Sequence, residues 1–344
     1  MSPPADALID ADVHIATPAV ETLYPYLDAR WVEHFSQTLD RGASQHYYPK
    51  GAPNAGPPEA GASLERLRAD VLDGTGVEAA IASCLYAVDS VHHPDVAAAL
   101  AGAVNDWLSS EWLQPEPRLR GSVVVPIRIP ALAVAEIDRV AGRPGFVQVL
   151  IPARTEHPLG SRLFHPLWEC IERHGLVAGI HFGGSPVTPP TPTGWPSYFI
   201  EVYADMAGVF ATQLTSMIVE GVFDAFPKLR VAFLESGFTW LPAHLWRMDK
   251  EWKNLRRLVP WVKRPPSEYV REHVRLAIQP LDAPPEPGPL LDVVAQLGGD
   301  HMLLYASDYP HLHAADPEPA LLAHLPRALQ VKVRSENARG LYRL

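Results

Sequence analysis

The chain has 344 residues, 47% of them hydrophobic and 20% charged, with a formal net charge of −10. That length suits one α/β barrel with insertions, which needs roughly 250 residues or more, and the acidic balance argues against nucleic acid or an anionic membrane as partner. The first residues, M-S-P-P-A-D, lack the basic and apolar regions of a signal peptide, and no apolar run is long enough to span a bilayer, so a cytoplasmic protein is expected. Cys84 and Cys170 show no C-x-x-C spacing and read as small core residues. The 36 prolines gather in a few segments, which predicts long ordered loops.

In chain order, the first predicted strand ends in I-D-A-D-V-H, residues 9–14. If the strand alternates regularly, Asp10, Asp12 and His14 share one face, and a polar face at the end of a buried strand is costly unless something binds it. Residues 15–62 read as a long loop carrying Tyr24, Tyr26, Trp31, Phe35, Tyr47 and Tyr48, fit to pack as a lid. A helix from Ser63 stops at Gly74, and a second strand, 78–85, is near-continuously apolar, as doubly covered parallel strands are. Helix 94–113, strand 122–125, helix 131–141, strand 146–151, a helix from near Pro166 to Gly175 and strand 176–181 follow. After a second Pro- and Gly-rich loop come helix 205–226, strand 230–235, helix 240–258, strand 274–279, helix 289–297 and strand 302–307. Eight apolar runs alternating with helices predict a (β/α)₈ TIM barrel forming one domain over 1–344, with insertions 15–62 and 183–204 over its mouth.

Four of these runs end in residues that bind or work on a metal: Asp12 and His14, His181, Glu235, and Asp308. In such a barrel the C-terminal strand ends share one rim, so the four tips converge there. Two imidazoles with two or three carboxylates suit Zn²⁺ or a related first-row ion with one open position. Read one by one, the same residues are ordinary caps and turns; jointly they predict a metal centre.

The chain resembles the amidohydrolase-related superfamily, in the branch of aminocarboxymuconate-semialdehyde and resorcylate decarboxylases. The resemblance is carried by D-A-D-V-H at 10–14, N-D-W-L at 105–108, R-L-R-G at 118–121, I-H-F-G-G at 180–184, F-P-K-L-R at 226–230, E-S-G at 235–237 with W-L-P at 240–242, and S-D-Y-P-H at 307–311. It implies a barrel holding one divalent ion, zinc most readily and manganese as the alternative, with Asp12, His14, His181 and Asp308 as ligands, and a homodimer. Two departures stand out. Strand four ends Ile151, Pro152, Ala153, Arg154, without the lysine of binuclear members, and Glu235 stands where the decarboxylases usually carry a histidine. A carboxylate replaces an imidazolium only if its pKa is raised.

Non-oxidative decarboxylation of an aromatic or unsaturated carboxylic acid is therefore expected, with Asp308 delivering the proton. Metal-dependent hydrolysis of an amide, ester or lactone is the alternative, with Glu235 or His311 assisting the leaving group; an inactive ligand-binding barrel is the third. Arg154 is a candidate grip for a substrate carboxylate, or else a surface ion-pair partner. His311 lies within reach of the substrate or serves its loop. Trp195 and Tyr198 are candidates for an apolar lid, or else for core packing. His174, Arg118 and Arg120 fall at the opposite rim and read as structural, the arginines as ion-pair partners; His92, His93 and His165 suit helix starts.

Overall fold

The computed structural model describes residues 7–38, 43, 56–57, 59–184 and 189–344. Tyr47 and Tyr48 of the expected lid, and residues 185–188 of the second insertion, lie outside the described residues.

Eight strands form one parallel sheet in sequential order: β1 (Ile9–Ile15), β2 (Ala79–Cys84), β3 (Leu119–Val124), β4 (Phe146–Pro152), β5 (Val177–His181), β6 (Arg230–Leu234), β7 (Val274–Ala277) and β8 (Leu303–Leu304). Closure comes from the chain beyond β8, where Ala11 N–H donates to Tyr305 O (2.9 Å), Asp308 N–H to Asp12 O (3.1 Å) and His14 N–H to Tyr309 O (2.7 Å). The protein is thus a (β/α)₈ barrel, as its alternating pattern predicts. Its outer core packs Val13, Ala80, Val123, Val149, Ile180 and Phe233 against the helices. Its interior packs Ile9, Ala11, Ile81, Val177 and Ala232 against Leu341 and Tyr342.

Inside the barrel a polar layer crosses beneath the mouth. Gln148 Nε2 donates to Ser122 Oγ (2.8 Å), Ser122 and Ser83 share a hydrogen bond (3.2 Å), and Tyr342 Oη donates to Gln148 Oε1 (2.8 Å). Gly179 on β5 makes room for this layer, since a Cβ there would sit 2.3 Å from the Gln148 side chain.

Several expectations need correction. A register shift between Asp10 and Val13 interrupts the alternation of β1. Ile9 and Ala11 line the interior while Val13 and Ile15 join the outer core, so Asp12 and His14 share a face from which the bulge excludes Asp10. Strand β3 begins three residues before its expected start, with Leu119 and Arg120 paired to Ala80 and Ile81. Arg120 is no ion-pair partner among the described residues; it turns back to donate to the carbonyls of Pro117 and Leu119. The expected eighth strand shrinks to two ladder residues: Tyr305 N–H donates to Val333 O (2.9 Å), and the chain turns at Asp308, whose φ is +58°. The first insertion holds a helix, Ala29–Gln37, with Phe35 buried. The second ends in helix Phe199–Ala204, and Pro266–His273 adds a helix before β7.

Other readings hold. Ser63 caps its helix by accepting from Arg66 N (3.2 Å), and Gly175 ends another at φ +66°. Cys84 and Cys170 are buried free thiols, both pushed up to about 12 by burial.

Candidate metal centre and active site

Four strand tips deliver buried donors to the barrel mouth. Asp12 and His14 come from β1, His181 from the last position of β5, and Asp308 from the turn beyond β8, and one ligating atom from each lies within 4.8 Å of the others. Glu235 follows β6 directly and, with Asp308 and His311, forms an adjoining group of the same spread. Glu235 and Asp308 both hold left-handed backbone, at φ +53° and +58°, a conformation that costs a side-chain-bearing residue about 1–3 kcal/mol and gathers at functional sites.

The cluster fits a divalent cation. Both carboxylate oxygens of Asp12, Nδ1 of His14 and Nε2 of His181 are buried with no hydrogen-bond partner among the described residues. Buried donors left so are costly, and these are of the types that Zn²⁺ and Mn²⁺ accept. The His181 Nδ1–H donates to Phe182 O (2.7 Å), which turns Nε2 inward, 3.3 Å from Asp12 Oδ2.

Asp308 is the hub. His14 Nε2–H (2.7 Å) and His311 Nδ1–H (2.9 Å) donate to its Oδ1, and His313 Nε2–H donates to Oδ2 (2.7 Å). Burial opposes its ionisation, but these imidazoles hold its carboxyl well below the usual range. Burial likewise opposes charge on His181, yet Asp12, Glu235 and Asp308 together raise it to about 10. His311 is raised against the same opposition by Asp308 and Glu235, whereas burial wins at His14 and lowers it. Glu235 is pushed up to about 8, first by burial and then by Asp308. Its Oε1 lies 3.6 Å from His311 Nδ1 and its Oε2 3.8 Å from His181 Nδ1. Burial and the neighbouring Asp308 carboxylate thus favour its protonated form, the form that could stand in for an imidazolium.

Arg154 sits just past β4 with its guanidinium 5.0 Å from the Phe182 ring centroid. It lines a shallow depression with Asp89, Arg128, Glu156 and Phe164. A second is walled by Tyr86, Val125, Leu150 and Phe182 and reaches His181. Trp195 is 67% exposed on its insertion. His93 caps the helix Pro94–Leu108 by accepting from Asp95 N (3.2 Å), and His174 pairs with Asp138 (2.6 Å) at the opposite rim.

One residue of the site escapes the sequence reading and another, Asp10, is read there as a member of the polar face. His313 is signalled only by lying two positions after His311 in S-D-Y-P-H-L-H. Asp10, pushed up to about 7 by burial, is no ligand; its Oδ1 accepts from Ser307 N (2.9 Å) and Asp12 N (3.3 Å).

A barrel with a buried imidazole and carboxylate cluster on its C-terminal rim defines a metal-dependent class, and the chain belongs to the amidohydrolase family, whose model matches residues 9–344. Among curated relatives, the gamma-resorcylate decarboxylase of Rhizobium radiobacter is 25% identical over 307 residues, 82% of this chain and 88% of that protein. Among solved structures, 5-carboxyvanillate decarboxylase from Sphingomonas paucimobilis superposes with a TM-score of 0.74 at 22% identity, covering 98% of this chain and 99% of that one. A dihydroxybenzoic acid decarboxylase from Polaromonas sp. JS666, with bound manganese and the inhibitor 2-nitroresorcinol, gives 0.68 at 22%, covering 98% and 97%. At these identities the structural likenesses establish the fold.

Proposed function

We propose that the protein is a mononuclear metal-dependent decarboxylase of an aromatic or unsaturated carboxylic acid, with Asp12, His14, His181 and Asp308 holding the ion. The observation that carries the reading is the convergence at the barrel mouth of one ligating atom each from buried Asp12, His14, His181 and Asp308, all within 4.8 Å of one another. The decarboxylase names of the relatives support the choice of reaction. Zinc suits the donor set by chemistry, and manganese is the ion held by the similar Polaromonas enzyme. A divalent ion bound there supplies positive charge that steadies the electrons left behind when a carboxylate departs.

The chain's own groups divide the remaining work. Arg154 holds the substrate's carboxylate through its two-pronged guanidinium. Asp308, kept ionised, is a route for the proton rather than its store. His311, which holds a proton 2.9 Å away, passes it through Asp308 to the substrate carbon. The bond from that carbon to the carboxylate breaks, its electron pair stays on the carbon and takes the proton, and carbon dioxide leaves. Protonated Glu235 keeps a neutral donor beside His311. Trp195 closes over the apolar side of the bound acid, and two copies of the chain form a homodimer.

Glu235 also favours a second reading, since a neutral carboxyl beside a metal centre would protonate the leaving group of an ester, lactone or amide. The test is product chemistry with metal-loaded protein: carbon dioxide release from hydroxybenzoates and unsaturated acids, against hydrolysis of lactone, ester and amide panels. Release of carbon dioxide upholds the proposal, hydrolysis alone replaces it with the second reading, and neither product with weak metal retention indicates a binding barrel.

A further inference from the structure

Barrel closure between β1 and the chain beyond β8 involves more than a ladder. Strand β8 has only two ladder residues, both paired with β7, and the pairing of β1 with β2 shifts register between Asp10 and Val13. Three backbone bonds cross the seam, from Ala11, Asp308 and His14. Among them stands a fourth link made by a side chain, Ser307 N–H donating to Asp10 Oδ1 at 2.9 Å. The same oxygen accepts from Asp12 N at 3.3 Å. One buried carboxylate oxygen therefore ties the amide of Asp12 to the amide of the residue before Asp308.

We infer that Asp10 is a positioning residue that sets the spacing of two ligands across the barrel seam and couples metal binding to barrel closure. This inference rests on the metal-centre reading above. Asp12 and Asp308 belong to opposite sides of the seam, so their separation is fixed by whatever holds the seam shut. Asp308 is held at a positive φ, a backbone state that persists only where its surroundings over-determine it. The Ser307 amide, bonded to Asp10, and the Asp308 amide, bonded to Asp12 O, pin that turn from consecutive positions. Asp10 touches none of the ligating atoms, and its action is through the backbone. Coupling runs both ways: a cation bridging Asp12 and Asp308 draws the same seam together that Asp10 clasps.

The test compares wild type with Asp10→Asn, which keeps an oxygen acceptor, and Asp10→Ala, which removes it. Each is stripped and titrated with Mn²⁺, read by isothermal titration calorimetry and by electron paramagnetic resonance of bound ion. Asp10→Ala is expected to weaken binding about 10–100-fold, as loss of an outer partner of a ligand does, while Asp10→Asn stays within about threefold of wild type. Equal affinity in wild type and a folded Asp10→Ala overturns the inference, and so does an Asn variant as weak as the Ala variant. Absence of Mn²⁺ and Zn²⁺ binding in wild type instead overturns the metal-centre reading.

Should Asp10→Ala not fold, hydrogen exchange on wild type decides. Loading is expected to slow exchange across residues 305–309 as well as around His181. Slowing around His181 alone refutes the coupling.

Discussion

Two glutamates, at opposite ends of the barrel, have nearly the same exposure, 2% for Glu235 and 4% for Glu116. Glu116 precedes β3 at the N-terminal rim, where Arg118 donates to both its oxygens and Arg68 adds a third charged bond, holding its carboxyl down to about 2. Glu235, on the C-terminal rim among other carboxylates, is pushed up to about 8. Burial is common to both, and partners decide the sign of the shift. The lower rim pairs its charges, whereas the upper rim concentrates carboxylates and leaves ligating atoms unsatisfied. That contrast separates a structural ion pair from a reaction centre more cleanly than burial does.

The strongest way to break the contrast is His181→Ala. Purified without added metal, wild type should carry about one equivalent by inductively coupled plasma mass spectrometry, as one four-donor centre holds, and the variant none, with turnover at background. Metal retained by the variant would remove His181 from the centre. Glu235→Gln comes next: it keeps a neutral hydrogen-bonding group beside His311, so a decarboxylase should hold its kcat within about tenfold, whereas in the hydrolase reading loss of the transferable proton should lower kcat about 10²–10⁴-fold, with metal content unchanged in both. Because the protonated form is the active one, wild-type kcat should decline as pH rises towards about 8, and the variant's profile should lack that limb. An unchanged limb would assign the titration to a group other than Glu235.

His313→Ala removes one of three imidazoles on Asp308 and should weaken Mn²⁺ binding about tenfold, measured by calorimetry; unaltered affinity would make His313 a loop residue. Glu116→Gln should leave activity intact and cost about 1 kcal/mol in urea unfolding, the loss being modest because Arg68 and Arg118 are themselves partly solvated. The folded-state pKa lies below the unfolded value of about 4.5, so the stability Glu116 contributes is present above pH 4.5 and lost as pH falls towards about 2. A Glu116→Gln variant with altered turnover would blur the division between the two rims.

The sequence reveals the centre because a buried parallel strand is almost wholly apolar, so Asp12, His14, His181 and Asp308 stand out at the ends of their runs. What it hides depends on three-dimensional register. Nothing local announces the bulge in β1, so Asp10 looks like a third member of the polar face although its partner, Ser307, is 297 positions away. Arg120 and Gly121 lie before the expected start of β3, yet both pair with β2, while Arg120 places its guanidinium on nearby carbonyls. Helix Ala29–Gln37 hides in a Pro-rich region, where Trp31, Val32 and Phe35 are a short apolar signature.

The left-handed backbone at Glu235 and Asp308 also bears on lineage. Glycine would adopt those angles freely, so only a requirement for the side chain justifies keeping carboxylates there. A descendant of this barrel that abandoned its chemistry would gain stability by drifting to glycine at 235 and 308. Among related sequences, glycine at those two positions is therefore the mark by which a retired catalyst would be recognised.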